Sequence, residues 1–196
     1  MLMICSFTNR IAPTLLAALM LGACGGTTEL VSDHLDPLTG VTITSATKPL
    51  VFYRDRSAQA AYARDYVYLG PIEVNNMGHR NYFIWLGVWG SSDSADRSSQ
   101  MNDFESVVVF ADGEPLGLEV SGWTPASIGL SESAYVKPVA SATDGYYRVT
   151  IDQIRLMAEA QDLEIRAGSS YPQIYAPWDS ATTGSASIQA FLREVL

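Results

Sequence analysis

Ser45-Ala46-Thr47-Lys48 has the serine–x–x–lysine spacing in which a lysine amine can activate a serine nucleophile. The companion Ser-Asp-Asn and Lys-Thr-Gly elements of that chemistry are missing, and Pro49 disfavours a helical turn at Lys48. His34 and His79 are far from any further His or Cys, whereas a zinc centre needs three or four converging ligands. Glu105 and Glu119 flank Asp112-Gly113 and invite comparison with a glycosidase acid–base pair. A two-residue turn there would pair 105 with 120 and 119 with 106, sending the two carboxylates to opposite faces. Asp93, Asp96 and Asp103 lie in a polar stretch over 91–103 whose spacing matches no EF-hand, so a solvated loop is expected. The alternating Arg54-Asp55-Arg56 and Arg64-Asp65 read as surface ion pairs of little weight. No G-x-S-x-G elbow, Walker loop or G-x-G-x-x-G turn occurs. The expectation is a protein that is not an enzyme and that uses no cofactor and no metal.

The elements that hold these residues belong to a chain of 196 residues, 47% hydrophobic and 17% charged. That composition is too apolar for disorder and long enough for one packed domain. The net charge is −9, from 12 basic and 21 acidic residues, which leaves little material for a phosphate-binding face. No nucleic-acid partner and no polybasic membrane patch are expected.

Residues 11–21 form an apolar run after Arg10, too short to span a bilayer and interrupted by Pro13. They fit the hydrophobic region of a signal peptide. Leu21-Gly22-Ala23-Cys24 then closes the run and Gly25-Gly26 follow. This motif resembles the lipobox of bacterial lipoproteins; the resemblance covers the first two dozen residues, and the mature part is not assigned to a family. It implies a signal peptide over 1–23, cleavage before Cys24, and lipidation of Cys24. Several acyl chains on one residue give a stable membrane anchor, which one chain does not. Gly25 after the Cys, in place of Asp, favours the outer membrane over the inner in the family's sorting pattern. Cys5 would leave with the signal peptide, so the mature part would hold no free thiol. Residues 24–40 read as the lipidated Cys and a flexible tether, and 41–196 as one β-rich globular domain.

Within that domain, strands are expected over 41–44, 50–54, 66–74, 80–89, 104–111, 116–121, 134–139, 146–150 and 163–166. Asp112-Gly113 and Asn75-Asn76-Met77-Gly78 supply hairpin turns. A helix over 151–160 is announced by the Thr150/Gln153 capping box. A second is expected near 186–195 and a short third near 58–62. Tyr171–Trp178, with two Pro, reads as an edge strand or a recognition loop. The expected fold is mainly β or α+β, a β-sandwich-like domain of about seven to nine strands with one or two packed helices.

An even-length turn at Asn76-Met77 would put Tyr66, Tyr68, Phe83, Trp85 and Trp89 on one face. Tyr82, Ile84, Leu86 and Val88 would take the other, as core. Five exposed aromatics would make roughly 750–1,250 Å², above the 300–600 Å² of a typical monomer's largest patch, so most of this face must be covered. The two longer helices are the expected cover. Any part left open is the candidate site for a ligand or partner. The functional expectation is a periplasm-facing lipoprotein that acts through contacts with other envelope proteins. A module binding a glycan, lipid or peptidoglycan fragment is the alternative, and a hydrolase a distant third.

Overall fold

The computed structural model describes residues 29–56, 63–90, 101–169, 171–178 and 182–196. The expected signal peptide, the lipobox with Cys24, the short helix near 58–62, and Asp93 and Asp96 lie outside them.

Among the described residues ten strands form one sheet: β1 (Val31–Leu35), β2 (Thr42–Ala46), β3 (Leu50–Asp55), β4 (Arg64–Asn76), β5 (His79–Gly90), β6 (Val107–Ala111), β7 (Glu114–Gly122), β8 (Thr143–Val149), β9 (Leu163–Ala167) and β10 (Gln173–Pro177). Among the described residues the α-helices include α1 (Ile151–Glu159) and α2 (Thr182–Val195), and Pro125–Ile128 forms a short 3-10 helix. The fold is mainly β with packed helices, but the sheet does not split into a sandwich. β3, β4, β5, β8, β7, β6, β9 and β10 pair in that order, and β10 returns to β3, so eight antiparallel strands close a barrel. The β1–β2 hairpin extends this wall from the second half of β4.

Closure depends on β10. Tyr175 pairs with Ile165 of β9 on one side, while Ala176 pairs with Tyr53 of β3 on the other. The strand tolerates its prolines because Pro172 precedes it and Pro177 ends it. β7 supplies the second seam: Leu116 and Leu118 pair with β6, and a bulge between Val120 and Gly122 turns the strand's end onto β8.

An eight-stranded barrel is just wide enough for side chains to fill its interior. Here Phe52, Val67, Leu69, Ile84, Leu86, Val109, Tyr147 and Ile165 are buried inside, and Ile154 and Met157 of α1 and Ile188 and Phe191 of α2 join the same cluster. Among the described residues the barrel interior is a packed core of these side chains. The expected capping box forms: Thr150 Oγ1 accepts from the Gln153 N–H, and the Gln153 side chain accepts from the Thr150 N–H.

Both hairpin turns take the form their sequences call for. Met77-Gly78 and Asp112-Gly113 are two-residue turns with positive φ at both positions. The register of β6 and β7 therefore has the parity expected from the sequence. Three assignments are corrected. Tyr171–Trp178, read as an edge strand or a recognition loop, contains β10, which is paired on both sides. Residues 134–139 form an irregular loop that lies against the outside of the barrel. Residues 31–40, read as tether, form β1 and its turn, with the Asp36 carboxylate accepting from the Leu38 and Thr39 N–H groups.

Candidate functional site

The β4–β5 register pairs Tyr66 with Trp89, Tyr68 with Gly87, Gly70 with Trp85 and Ile72 with Phe83. The outer face therefore carries the expected five aromatics, and the aliphatic face of β5 lines the barrel core. What covers the outer face differs from expectation. Both helices pack with the inner cluster, because the barrel's end exposes the aliphatic surface an amphipathic helix needs. The outer face is covered instead by the loop over 123–142.

That cover divides the face. Trp85 and Phe83 are 0% and 3% exposed and pack with Ile72, Tyr146, Ile128, Leu130 and Tyr135. The Tyr135 ring stacks on Trp85 at 4.8 Å and its hydroxyl donates to the Pro71 carbonyl at 2.8 Å. Trp85 Nε1 donates to Asp144 at 3.1 Å, and the other Asp144 oxygen receives Lys137 Nζ at 2.8 Å. Tyr146 donates to Ser133 Oγ, and burial pushes its phenol up to about 12. The buried Asp36 accepts from the Ser131 N–H and hydroxyl, both at 2.7 Å, and the Ser131 N–H foremost holds the carboxyl well below its usual range. Trp85 and Phe83 are thus core residues, removed from the candidate site, and Tyr68 is half-buried beside them.

The other half is a ladder of rings on the barrel's outer wall. Tyr66 and Trp89 stack at 4.8 Å with their planes 18° apart. Trp178 lies 5.8 Å from Tyr66 and meets Tyr53 edge-on at 5.2 Å. The Arg64 guanidinium sits 5.2 Å from both the Tyr53 and the Trp178 ring centres. Arg64 also pairs with Asp55 at 2.8 Å, and the Asp55 contact foremost holds its guanidinium pKa above the ordinary value. Trp178 remains 46% exposed. Trp89 Nε1 is buried and donates to no acceptor among the described residues.

The sequence reading does not join three members of this ladder to it: Tyr53 falls in an expected strand, Arg64 reads as part of a surface ion pair, and Trp178 as the end of an edge strand or recognition loop. Tyr53 and Arg64 were within reach, since alternation places Tyr53 opposite Phe52 and Arg64 on the side of Tyr66. Trp178 was not, because its place depends on the nonlocal β3–β10 pairing.

Directly inside the wall, Asp65 is buried between two guanidiniums, Arg54 at 2.5 Å and Arg56 at 3.3 Å. These pairs are more buried than the surface pairs expected for this segment. Tyr175 lies under Arg54 and donates to Gln173, whose amide donates to Asp103. Burial raises the Tyr175 phenol strongly, so it stays neutral at ordinary pH. Both oxygens of Asp65 are engaged by cations, so this cluster stabilises the barrel mouth and presents no nucleophile.

The residues considered for chemistry stay apart. Ser45 is buried in a strand and Lys48 is exposed in the following turn. His34 and His79 are exposed on β1 and at the start of β5. Glu119 pairs in register with Arg148 across β7 and β8, and Glu105 lies in the turn before β6. Among the described residues no three His, Cys, Asp or Glu side chains converge as a metal site, and no helix is long and apolar enough to cross a membrane. Comparison with protein-family models, with curated proteins and with solved structures found no match.

Proposed function

We infer that this protein is a non-enzymatic bacterial envelope lipoprotein that engages another envelope protein through the Tyr53–Tyr66–Trp89–Trp178 ladder and Arg64. Cys24 carries the lipid in this reading. The domain faces the periplasm, and Gly25 after the anchor favours the outer membrane.

The observation that carries the reading is the composition and exposure of the ladder. Four aromatic rings and a guanidinium lie together on an outer wall, with Trp178 46% exposed. Trp, Tyr and Arg are the residue types that dominate protein–protein hot spots. The packed barrel core among the described residues supports a site on the outer surface. Ring geometry favours a protein over a glycan. A sugar needs a free flat ring face, whereas here Tyr66 and Trp89 give a face to each other and Arg64 lies against Tyr53 and Trp178.

The test compares envelope proteins co-purified with the wild-type chain and with Trp178→Ala. The substitution removes an exposed ring, so the melting temperature is expected to change little while the co-purifying partner is lost. Undiminished partner recovery with a folded variant would contradict the reading.

A further inference from the structure

The barrel has closed its own edges, and β1 is the strand that has not. Among the described residues it pairs with β2 on one side and with no strand on the other. Thr47 N–H donates to Leu30 O and Asp36 N–H donates to Val41 O, each at 2.9 Å, which brackets the hairpin. Antiparallel pairing alternates hydrogen-bonded and non-hydrogen-bonded positions. The even-numbered residues between these brackets therefore face β2, and the N–H and C=O groups of Val31, Asp33 and Leu35 point away from it.

Clefts border this edge on alternate sides. Val31 and Asp33 face a cleft of about 360 Å³ shared with Glu29 and with Arg193 and Glu194 of α2. On the opposite face, Ser32 opens on a cleft of about 330 Å³ beside Tyr135 and Val136. His34 opens on one of about 180 Å³ beside Leu38 and Ser131. Strand addition uses this arrangement: main-chain hydrogen bonds supply affinity and pockets for alternate side chains supply specificity. Exposed apolar side chains gather here as well, with Leu35 at 63%, Leu38 at 82% and Val136 at 94%.

Charge selects the occupant. The cleft beside α2 carries three carboxylates against one guanidinium, so it suits a basic side chain. A second copy of the chain does not fit. Antiparallel self-pairing in the register that uses all five residues of β1 would set Asp33 against Asp33, a like-charge pair directly opposite.

We propose that β1 accepts an extended segment of a partner polypeptide as an added strand, with a Lys or Arg of that segment seated among Glu29, Asp33 and Glu194. The apolar neighbours of that basic residue enter the two clefts on the other face. This surface is separate from the aromatic ladder, so either can fail without the other.

The test is amide hydrogen exchange read by NMR on the full chain in detergent micelles. The probe is a capped Thr-Val-Lys-Val-Thr pentapeptide. With saturating peptide, exchange at Val31, Asp33 and Leu35 is expected to slow at least tenfold. A version N-methylated at alternate residues is expected to slow none of them, because it cannot donate to the edge. A version with Glu in place of Lys is expected to bind at least tenfold more weakly. Asp33→Asn, with an unchanged melting temperature, is expected to weaken the Lys peptide about fivefold. Four results would overturn the proposal. They are slow exchange at these amides in the free protein at every concentration, slowing that appears with protein concentration alone, no slowing at millimolar Lys peptide, and equal slowing by the Glu peptide.

Discussion

Gly70→Ala is a small substitution that should be felt strongly, because the Tyr135 ring occupies the space a side chain would need. A Cβ at Gly70 would lie 2.2 Å from Tyr135 Cζ and 2.6 Å from its hydroxyl oxygen. The ring cannot swing aside freely, since it is stacked on Trp85 and bonded to the Pro71 carbonyl. Overpacking costs about 1–3 kcal/mol. Loss of the hydrogen bond adds about 1 kcal/mol, and loss of the stack about 0.5–1.5 kcal/mol. A total of about 2.5–5.5 kcal/mol is expected, which lowers the melting temperature by roughly 5–20 °C in a domain of this size. The assay is thermal unfolding of a double-mutant cycle with Tyr135→Ala. In the Tyr135→Ala background the clash has no partner, so Gly70→Ala should cost less than about 0.5 kcal/mol. Equal costs in the two backgrounds would refute the claim that the 123–142 loop lies on the barrel through this contact.

Three further predictions concern buried carboxylates. Lys137→Met leaves the buried Asp144 carboxylate with Trp85 Nε1 as its remaining side-chain donor among the described residues; discounted for the exposure of the ammonium, the loss should be about 1–2 kcal/mol in denaturant melts. Asp36, held below its usual pKa chiefly by the Ser131 N–H, adds stability that is present above the unfolded carboxylate pKa and lost as pH falls through the folded one. Melting temperatures measured from pH 6 to pH 2 should therefore fall less steeply for Asp36→Asn than for wild type. Glu73 is the reverse case: it is buried, Arg80 lies 3.6 Å from one of its oxygens, and desolvation raises its pKa. A raised folded pKa means that stability falls as pH rises through it, so Glu73→Gln should stabilise the protein at pH 8 and progressively less toward pH 4, read by the same melts.

The local parts of this fold were legible and the nonlocal parts were not. Met77-Gly78 and Asp112-Gly113 fix their hairpins with turn residues alone, so the register and facing of Tyr66, Trp85 and Trp89 followed by alternation. The Thr150/Gln153 box likewise marked the start of α1. Barrel closure was hidden because β10, which follows β9 directly, closes the ring through a two-residue pairing with β3, a strand more than a hundred residues earlier. β1 was hidden because an edge strand with exposed Asp33, His34 and Leu35 lacks the buried periodicity that marks a strand. The cover over Trp85 was misplaced because 134–139 has the composition of a strand, while its Tyr135 and Lys137 serve as anchors for a loop. Gly70 and Gly87 carried an unused signal. A glycine inside a strand marks a close approach, here by Tyr135 over Gly70 and by Trp85 over Gly87. For the site, Tyr66 and Trp89 were found by alternation, whereas Trp178 required the closed barrel.

The central claim is that the outer ladder is a protein-binding surface, and site-specific photocrosslinking in living cells tests it most directly. A photoreactive phenylalanine analogue would replace Tyr53, Trp178 or, as a control on the distant β6–β7 turn, Glu114. The account predicts one discrete protein adduct of the same mass from positions 53 and 178, absent when Arg64→Ala is added, and none from position 114. No adduct at 53 and 178, or the same adducts at all three positions, would contradict it.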